Sequence, residues 1–521
     1  MTDSTRAYIV GGGIAGLATA ALLIRDGGMP GKRIVVFEQA DELGGSLDGA
    51  GDPHAGYVIR GGRMFEEHFA CTYDLFASIP SLTDPSTSVT EELHAFTRRT
   101  VGSSKSRLVS KGQRIEAPPL ELSLRDKLDL GRLNLRSERS LDGITIEQYF
   151  SDTFLRTNFW CMWCTMFAFQ PWHSVAEFRR YMRRFMHLMP GFNRLEGIFR
   201  TRYNQYDSLI LPLMTWLKDR GVTLRRNTAV TDVELCADGS RVTALVLEAD
   251  AGRERIDIGE HDLLFVTLGS MTEDSTLGTM DTPAAMNVDR ESGAWAFWHR
   301  LVTKIPNLGR PEAFCGDVGA SRWESFTVTL SDPYFFEFME RFTGNRAGEA
   351  GLVTFRDSSW LMSVVLAYQP HFRNQPDDCW VFWGYGLYPD RRGDRVGKPM
   401  TECSGREILD ELFEHLPIGE AGDRVIAAAN CIPCMLPFIT SQFMPRRRGD
   451  RPAVICADVA NVAFVGQYCE VPEDTVFTVE YSVRTAQTAV YGLLGLDKHV
   501  TPMFRGYRDP RIVARALRAM A

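Results

Sequence analysis

The sequence has little that would draw it to a polyanion or into a bilayer. Its 58 Lys and Arg residues are outnumbered by 66 Asp and Glu residues, so the 521-residue chain carries a formal net charge of −8. Without a basic excess there is no overall field that attracts nucleic acid, and we expect no such partner. The longest apolar run, residues 14–24, is far shorter than the roughly 20 residues that span a bilayer. It is expected to form a buried helix.

The chain also lacks a disulfide framework and a zinc motif. Its 11 cysteines are odd in number and scattered, which suits a reducing compartment. Cys161 and Cys164, like Cys431 and Cys434, have C-x-x-C spacing, but their surroundings are apolar and lack matching histidines. We interpret them as small buried residues and predict no metal site. Because cleavage of a leader would remove the strand that begins the fold, we expect a cytoplasmic protein.

What the sequence does have is a glycine turn close to its start. Residues 7–10 form an apolar run, Gly11, Gly13 and Gly16 follow, and a second apolar run ends at Glu38. Such glycines let the backbone approach a pyrophosphate at a helix N-terminus, and the acid accepts a hydrogen bond from a ribose hydroxyl. The pattern predicts a bound dinucleotide. The alternative is a glycine-rich packing turn.

Two further glycine turns favour FAD over a nicotinamide cofactor. Gly45 and Ser46 lie in the loop 41–49, and a glycine doublet shortly after the ribose acid is commoner in FAD-binding chains. The turn 60–63 follows a short strand and brings backbone close to a planar ring or a phosphate, unless it is an ordinary hairpin. The remaining residues predicted to contact FAD are Arg60, Gly61, Gly62, Arg63, Val230, Thr475 and Ser482.

The order of predicted elements indicates an α/β fold. We expect a Rossmann-like FAD-binding domain with an inserted mixed α+β substrate domain and a helical C-terminal part. The expected units are a discontinuous FAD-binding domain (1–70, 205–275 and 450–495), a substrate-binding domain (276–449), a mostly helical segment lining the substrate channel (71–204) and a basic helical tail (496–521). The tail is amphipathic and could touch an anionic membrane surface, or it could be a solvated helix.

Two stretches allow both a functional and a structural interpretation. The segment 159–172 is rich in aromatic residues, which could line a lipid tunnel, although such stripes are more often plain core. The arginine run 446–448 could attract a carboxylate or a lipid head group, although charge runs usually form a solvated face.

Several stretches together resemble the oleate hydratases, a family formerly called myosin-cross-reactive antigens. The matches extend over residues 7–495 and include the glycine turn and the stretches 24–27, 44–49, 60–63, 158–160, 165–169, 203–206 and 480–486. The resemblance implies an FAD-dependent hydro-lyase that adds water to the cis-9 double bond of oleic acid and similar free unsaturated fatty acids. The product is a 10-hydroxy acid. Because there is no net redox change, the flavin has a structural or electrostatic role.

The resemblance also implies site residues. Tyr181 matches the tyrosine that protonates the alkene, and a phenol with an ordinary pKa of about 10 keeps its proton at neutral pH. Gln205 and His371 match residues that hold the fatty acid carboxylate, where hydrogen bonds would fix the register of the double bond. Alternatively, Tyr181 is a buried tyrosine whose hydroxyl is hydrogen-bonded within the protein, and His371 is an ordinary loop histidine.

The chain departs from the family pattern at three positions. Met64 stands where the family usually has the glutamate that activates water, and a thioether cannot take a proton. Either backbone and flavin orient a water that the developing cation attracts, or Glu66 or Glu67 substitutes as the base. We prefer the first alternative, in which activity is slow but present. Val365 and Ala367 replace the usual threonine and asparagine of the carboxylate site, which puts head-group affinity and chain register in question.

Two other functions stay open from the sequence alone. One is a redox flavoenzyme, such as a desaturase or an amine oxidase, and the other is a lipid-binding flavoprotein without catalysis, which Met64 makes credible. Family members often carry an N-terminal extension and a longer C-terminal helical region that support homodimers. Because this chain has less of both, we expect a monomer, with a homodimer as the alternative.

Overall fold

Strands and helices alternate along the chain in the computed structural model, which describes residues 5–100, 102–349 and 351–520. The strands in these ranges are β1 (Ala7–Val10), β2 (Ile34–Phe37), β3 (Gly49–Asp52), β4 (Gly56–Ile59), β5 (Ser106–Ser110), β6 (Gln113–Glu116), β7 (Thr223–Arg225), β8 (Thr228–Leu235), β9 (Val242–Ala249), β10 (Gly252–Asp257), β11 (Leu263–Thr267), β12 (Thr276–Leu277), β13 (Trp323–Leu330), β14 (Leu352–Phe355), β15 (Met362–Val365), β16 (Trp380–Gly386), β17 (Ala429–Leu436) and β18 (Val462–Val465). The α-helices are α1 (Ile14–Arg25), α2 (Ala70–Phe76), α3 (Val89–Thr100), α4 (Leu124–Leu135), α5 (Ile146–Tyr149), α6 (Asn158–Phe167), α7 (Val175–Arg184), α8 (Leu211–Asp219), α9 (Gly293–Val302), α10 (Glu312–Cys315), α11 (Val318–Ser321), α12 (Tyr334–Thr343), α13 (Gly405–Glu414), α14 (Ala421–Ala427), α15 (Val479–Leu494) and α16 (Pro510–Met520).

A parallel sheet carries the glycine turn. Within the described residues it has five strands in the order β18-β11-β1-β2-β7. Every residue of β1 is buried, as expected for a central strand covered on both faces. Helix α1 follows closely, since a Cβ at Gly16 would lie 2.0 Å from the carbonyl oxygen of Gly11. The strands come from all three segments predicted for the FAD-binding domain, and the predicted Rossmann-like α/β fold is confirmed. The exact domain boundaries stay a prediction.

A mixed sheet supports the turn at 60–63. In the described part of the chain its eight strands run in the order β12-β17-β13-β16-β15-β14-β5-β6. The hydroxyls of Thr329 and Thr327 on β13 accept hydrogen bonds from the backbone N–H groups of Tyr57 (2.8 Å) and Ile59 (3.1 Å) on β4. These bonds hold β4, and with it the start of the turn, against the buried face of the sheet.

The segment 71–204, predicted to be mostly helical, also contributes strands. It contains α2 to α7, but β5 and β6 form a hairpin at the edge of the mixed sheet. Strand β5 pairs in parallel with β14, where Leu108 lies opposite Thr354. Both Leu108 and the next residue, Val109, are buried, so the two faces of β5 are covered. This covering comes from segments remote in sequence, which local periodicity does not reveal.

The aromatic segment 159–172 is mainly core. Phe159, Trp160 and Trp163 are buried, and the Trp163 ring lies 5.2 Å from the Phe178 ring. Most residues of this segment therefore belong to the hydrophobic core and do not line a tunnel.

The arginine run 446–448 is divided between the interior and solvent. Arg446 is buried, and its Nε lies 2.8 Å from the Glu177 carboxylate on α7. Arg451 binds the same carboxylate oxygen at 2.8 Å. Arg447 and Arg448 are exposed. Arg446 thus joins α7 to the loop before β18 and is not free to bind a head group.

The C-terminal part is helical, as predicted. Helix α15 begins after Thr478, whose side chain accepts a hydrogen bond from the Tyr481 N–H at 3.1 Å. Helix α16 packs on the segment Met186–Arg194 and exposes Arg511 and Arg515. Among the described residues, no helix combines the length and apolarity needed to cross a membrane. Residues 1–4, 101, 350 and 521 of the predicted units lie outside the described residues. Membrane contact and oligomeric state stay predictions.

Candidate active site

The glycine turn opens on a cavity of about 1040 Å³, which we name the glycine cavity. Gly13 and Gly45 both line it, and the Gly44 N–H donates to the Gly12 carbonyl oxygen at 3.0 Å, joining the first two glycine turns. A Cβ at Gly13 would meet no atom nearer than the Gly45 Cα, at 4.0 Å. The backbone of this turn is therefore open to a ligand, with no side chain in between.

The predicted ribose acid lies at the edge of the glycine cavity. Glu38 Oε2 accepts a hydrogen bond from the Gly12 N–H at 2.7 Å, and Oε1 accepts one from the Ala40 N–H at 2.9 Å. Burial raises the pKa of Glu38, while these backbone donors lower it. The donors also fix the orientation of the carboxylate. Because a carboxylate has about four acceptor positions, Glu38 keeps capacity for a ligand hydroxyl.

The wall of the glycine cavity carries unpartnered polar atoms. Thr267 Oγ1, Asp48 Oδ1, Arg60 Nε and Glu273 Oε1 have no hydrogen-bond partner among the described residues. Burial raises the pKa of Glu273 to about 8, so its carboxyl can donate as well as accept near neutral pH. Since buried polar groups are normally hydrogen-bonded, this wall suits a ligand with many donors and acceptors.

Most residues predicted to bind the cofactor line this cavity. They are Gly11, Gly13, Glu38, Gly45, Ser46, Arg60, Arg63, Val230 and Ser482. Gly16, Gly61, Gly62 and Thr475 lie outside its wall. Sequence reasoning missed Thr267, Gln467 and Thr478, which do line it. Thr267 and Gln467 lie where β11 and β18 end, and the rule that ligands bind at the carboxyl ends of parallel strands could have found them.

Tyr181 and Met64 share a second space of about 70 Å³, the tyrosine cavity. The Tyr181 hydroxyl donates to the carbonyl oxygen of Val476 at 2.6 Å, and its ring lies 5.1 Å from that of Phe167. Burial raises the pKa of Tyr181 well above its ordinary value, and the guanidinium of Arg63 acts in the opposite direction. The phenol therefore keeps its proton at neutral pH. Met166 and Phe167 are the members of the aromatic segment on this wall.

Neither nearby glutamate is arranged to replace the missing base. The buried Glu66 carboxylate lies on the wall of the tyrosine cavity but pairs with Arg184 (2.9 Å), His187 (3.1 Å) and His68 (3.0 Å). Burial alone would raise its pKa, but these partners lower the pKa to about 2. Such a carboxylate takes up a proton poorly at neutral pH. The side chain of Glu67 is 65% exposed and does not line the cavity.

Gln205 and His371 come together in a third space of about 30 Å³, the histidine cavity. Gln205 Oε1 accepts a hydrogen bond from the backbone N–H of Arg63 at 3.2 Å, so this side chain also supports the turn at 60–63. Burial, and then the charge of Arg200, lower the pKa of His371 to about 4, which leaves the imidazole neutral. Val365 and Ala367 are part of the same wall.

The turn at 60–63 joins the three cavities. Arg63 and the loop residues Phe477 and Thr478 belong to the walls of both the glycine cavity and the tyrosine cavity. Gly62 belongs to the walls of both the tyrosine cavity and the histidine cavity. A Cβ at Gly62 would lie 3.9 Å from the nearest atom, in Trp383, so this position leaves room for a chain that passes it.

The C-x-x-C pairs do not form metal clusters. Groups of three metal-ligating side chains occur among the described residues at Glu66, His68 and His187, at His299, Glu312 and Cys315, and at Asp394, Glu411 and His415, and neither C-x-x-C pair belongs to one. Burial raises the pKa of Cys161 and of Cys434 to about 12, which disfavours the thiolate that metal binding needs.

Solved structures share the architecture. A putrescine oxidase mutant from a structure-based redesign of cofactor binding is similar with a TM-score of 0.54 and 13% identity, over 94% of this chain and 98% of that chain. Cyclohexylamine oxidase from Brevibacterium oxydans IH-35A gives a TM-score of 0.52 and 14% identity, over 94% and 99% of the two chains. At such identities the likeness establishes the fold alone.

A family model described as the MCRA family matches residues 4–491. The chain belongs to the MCRA family. Among curated relatives, the oleate hydratase of Streptococcus pyogenes serotype M49 (strain NZ131) is 39% identical over 527 residues, covering 99% of this MCRA chain and 89% of the relative. The linoleate hydratase of Lactiplantibacillus plantarum is 33% identical over 563 residues, covering 99% and 98%. The resemblance found in the sequence is confirmed.

Proposed function

We propose that this MCRA protein is an FAD-dependent fatty acid hydratase. It adds water to the cis-9 double bond of oleic acid and similar free unsaturated fatty acids, giving 10-hydroxy acids without net redox change. One observation carries the proposal: the Tyr181 phenol lies in a cavity that shares walls with the glycine cavity on one side and the histidine cavity on the other. The hydratase relatives support the reaction class.

The glycine cavity fits FAD in size and polarity. Its volume of about 1040 Å³ and its unpartnered polar atoms suit a long dinucleotide with many donors and acceptors. The backbone around Gly13 would hold the pyrophosphate and Glu38 a ribose hydroxyl. When bound, FAD supplies a rigid planar surface and local charge next to the tyrosine cavity. Arg63, between the two cavities, would contact it there.

Tyr181 is the proposed proton donor. Its hydroxyl hydrogen turns from the Val476 carbonyl toward the alkene, since a hydroxyl rotates to suit its acceptor. The proton forms a bond to C9 of the chain, leaving a cation at C10. A water oxygen bonds to C10, and the proton it loses returns to the Tyr181 oxygen. Arg63 favours the transient phenolate, because its charge lowers the pKa of Tyr181.

The attacking water needs little help from a base. Met64 offers no acceptor of adequate basicity, and Glu66 is held by Arg184 and two histidines. A cationic carbon attracts water strongly, so orientation of the water by backbone groups, with bound FAD beside them, would be sufficient for a slow reaction. Substrate binding supplies the positioning, since each methylene withdrawn from water contributes about 0.8 kcal/mol.

An isotope experiment tests this function. Purified protein with FAD is incubated with oleate in ¹⁸O-labelled water, and the product is analysed by mass spectrometry. We expect a hydroxy acid carrying one labelled oxygen. Anaerobic bleaching of the flavin without a hydroxy acid would instead identify a redox enzyme, and oleate binding without either change would identify a lipid-binding protein.

A further inference from the structure

Arg200 is a cation without a counter-charge in the described part of the chain. It belongs to the wall of the histidine cavity, and its Nη2 atom is buried without a partner. Arg200 is half-buried, and among the described residues no Asp or Glu shifts its pKa or accepts a hydrogen bond from the buried Nη2. Two other arginines do have counter-charges: Arg451 pairs with Glu177 at 2.8 Å, and Arg184 pairs with Glu66 at 2.9 Å.

The surroundings of Arg200 offer no substitute for a counter-ion. The described wall of the histidine cavity contains no acidic side chain, and Val365 and Ala367 bring no polar side-chain atom to it. The amide of Gln205 is already bonded to Arg63 and Thr201. Burial lowers the pKa of Arg200 to about 10, yet the group stays cationic at neutral pH. An unpaired buried charge is unfavourable unless an anion joins it.

The cavity around Arg200 has room for a small anionic group. A water molecule needs about 10–15 Å³ of such space, so a cavity of about 30 Å³ holds a group the size of a carboxylate. The guanidinium fork matches a carboxylate in shape and charge, and the resulting hydrogen bonds are stronger than neutral ones. Gly62 belongs to the walls of both this cavity and the tyrosine cavity, so the acyl chain would continue past Gly62 to the cavity that holds Tyr181.

We propose that Arg200 binds the substrate carboxylate as an ion pair in the histidine cavity, and that this contact makes the protein select free fatty acids over uncharged lipids. The inference rests on the proposed function, because it assigns the head-group end of the same substrate. Gln205 and His371 then frame the site as neutral hydrogen-bonding groups, while Arg200 supplies its charge and sets the register of the chain.

Binding measurements on the FAD-loaded protein test this assignment. Oleate and oleyl alcohol are titrated into wild type, Arg200→Gln and Arg200→Lys, with Arg194→Gln as control because it removes an exposed arginine from the same segment. We expect Arg200→Gln to lose about tenfold or more in oleate affinity, as removal of one partner of a buried charge pair does, with unchanged affinity for the alcohol. Arg200→Lys should keep part of the preference, and Arg194→Gln all of it.

Thermal unfolding provides a second measurement that needs no turnover. Without ligand, Arg200→Gln should melt at or above the wild-type temperature, because an unpaired buried charge is removed. At one oleate concentration, the melting temperature should then rise more for wild type than for the variant. If Arg200→Gln fails to fold, wild-type affinities for oleate and oleamide decide: equal affinities would overturn the assignment.

The outcomes separate the two proposals. An Arg200→Gln variant that binds and hydrates oleate with unchanged affinity and KM would overturn the role of Arg200 and leave the hydratase function intact. A wild type that prefers oleate through Arg200 but forms no hydroxy acid would overturn the hydratase function and leave the anion site intact.

Discussion

The hydroxyl of Tyr181 and the carbonyl oxygen of Val476 are joined by a hydrogen bond of 2.6 Å. Val476 directly precedes Phe477 and Thr478, which belong to the walls of both the glycine cavity and the tyrosine cavity. The proposed acid is therefore anchored to a loop that lines both the glycine cavity and the tyrosine cavity. To donate its proton to a substrate, the Tyr181 hydroxyl must break the bond to Val476 and rotate its hydrogen toward the cavity.

Replacing Tyr181 by phenylalanine should abolish hydration, because no other phenol lines the described wall of the tyrosine cavity. FAD binding, read from the visible absorption of the purified protein, should persist. Tyr385→Phe is a matched control, since Tyr385 is also buried and donates to a backbone carbonyl, that of Thr165. Both variants should lose about 1 kcal/mol of stability with the hydrogen bond. Full activity of Tyr181→Phe would remove its assignment as the acid.

Replacing Met64 by glutamate should raise the hydration rate, because it places a carboxylate beside Tyr181 where it can take the proton of the attacking water. Met64→Gln is the control, with similar shape and no basic group. The initial rate of hydroxy acid formation is measured at several pH values, and the gain should grow as the new carboxyl ionises. Equal rates for both variants would mean that the cavity is arranged for catalysis without a base.

Replacing Gly13 by alanine should weaken FAD binding by about tenfold or more, since the new methyl group enters the glycine cavity. The apoprotein should melt as wild type does, because Gly13 has φ −73° and its Cβ would meet no close atom. Gly131→Ala on α4 is the control, with open space around its Cβ. It should keep FAD affinity and gain up to about 1 kcal/mol from helix propensity. Flavin titration and thermal unfolding check both expectations.

Replacing Glu66 by glutamine should destabilise the fold by about 3–5 kcal/mol at pH 7, because it leaves Arg184 buried without its partner. The folded-state pKa of about 2 lies below the ordinary 4.5. The contribution of Glu66 is therefore fully present above about pH 4.5 and is lost as pH falls toward 2. Urea unfolding should show the difference between wild type and variant narrowing over this range. Glu67→Gln, at an exposed position, should change little, and a difference independent of pH would contradict the assignment.

Much of the proposed cofactor site was predictable because its signals are local. Gly11, Gly13 and Glu38 occur at fixed spacing around one strand-helix-strand unit, and the structure brings all three to the glycine cavity. Strand β11, which comes from the segment 205–275 predicted to belong to the FAD-binding domain, pairs with β1. Hydrophobic runs ending in glycine or an acid are sufficient for such predictions.

The remaining site residues depended on contacts between distant segments. The sequence around Arg200 does not reveal that residues 365–371 lie beside it and contribute no acidic side chain. The sequence around Glu66 likewise does not reveal that its carboxylate is paired with Arg184 and His187. The hairpin of β5 and β6 was missed for the same reason, since its burial comes from β14 and the segment around Phe192.

The sequence by itself determined the α/β class, the family and the glycine turn. These follow from short-range hydrophobic periodicity and from local motifs that do not depend on contacts with distant residues. Only the tertiary structure decided which charges are paired. Ion pairing depends on distances of a few ångströms between residues that are more than a hundred positions apart, as for Glu66 and Arg184. For that reason only the folded chain showed that the Glu66 carboxylate is already paired and that Arg200 has no acidic partner among the residues that the structure describes.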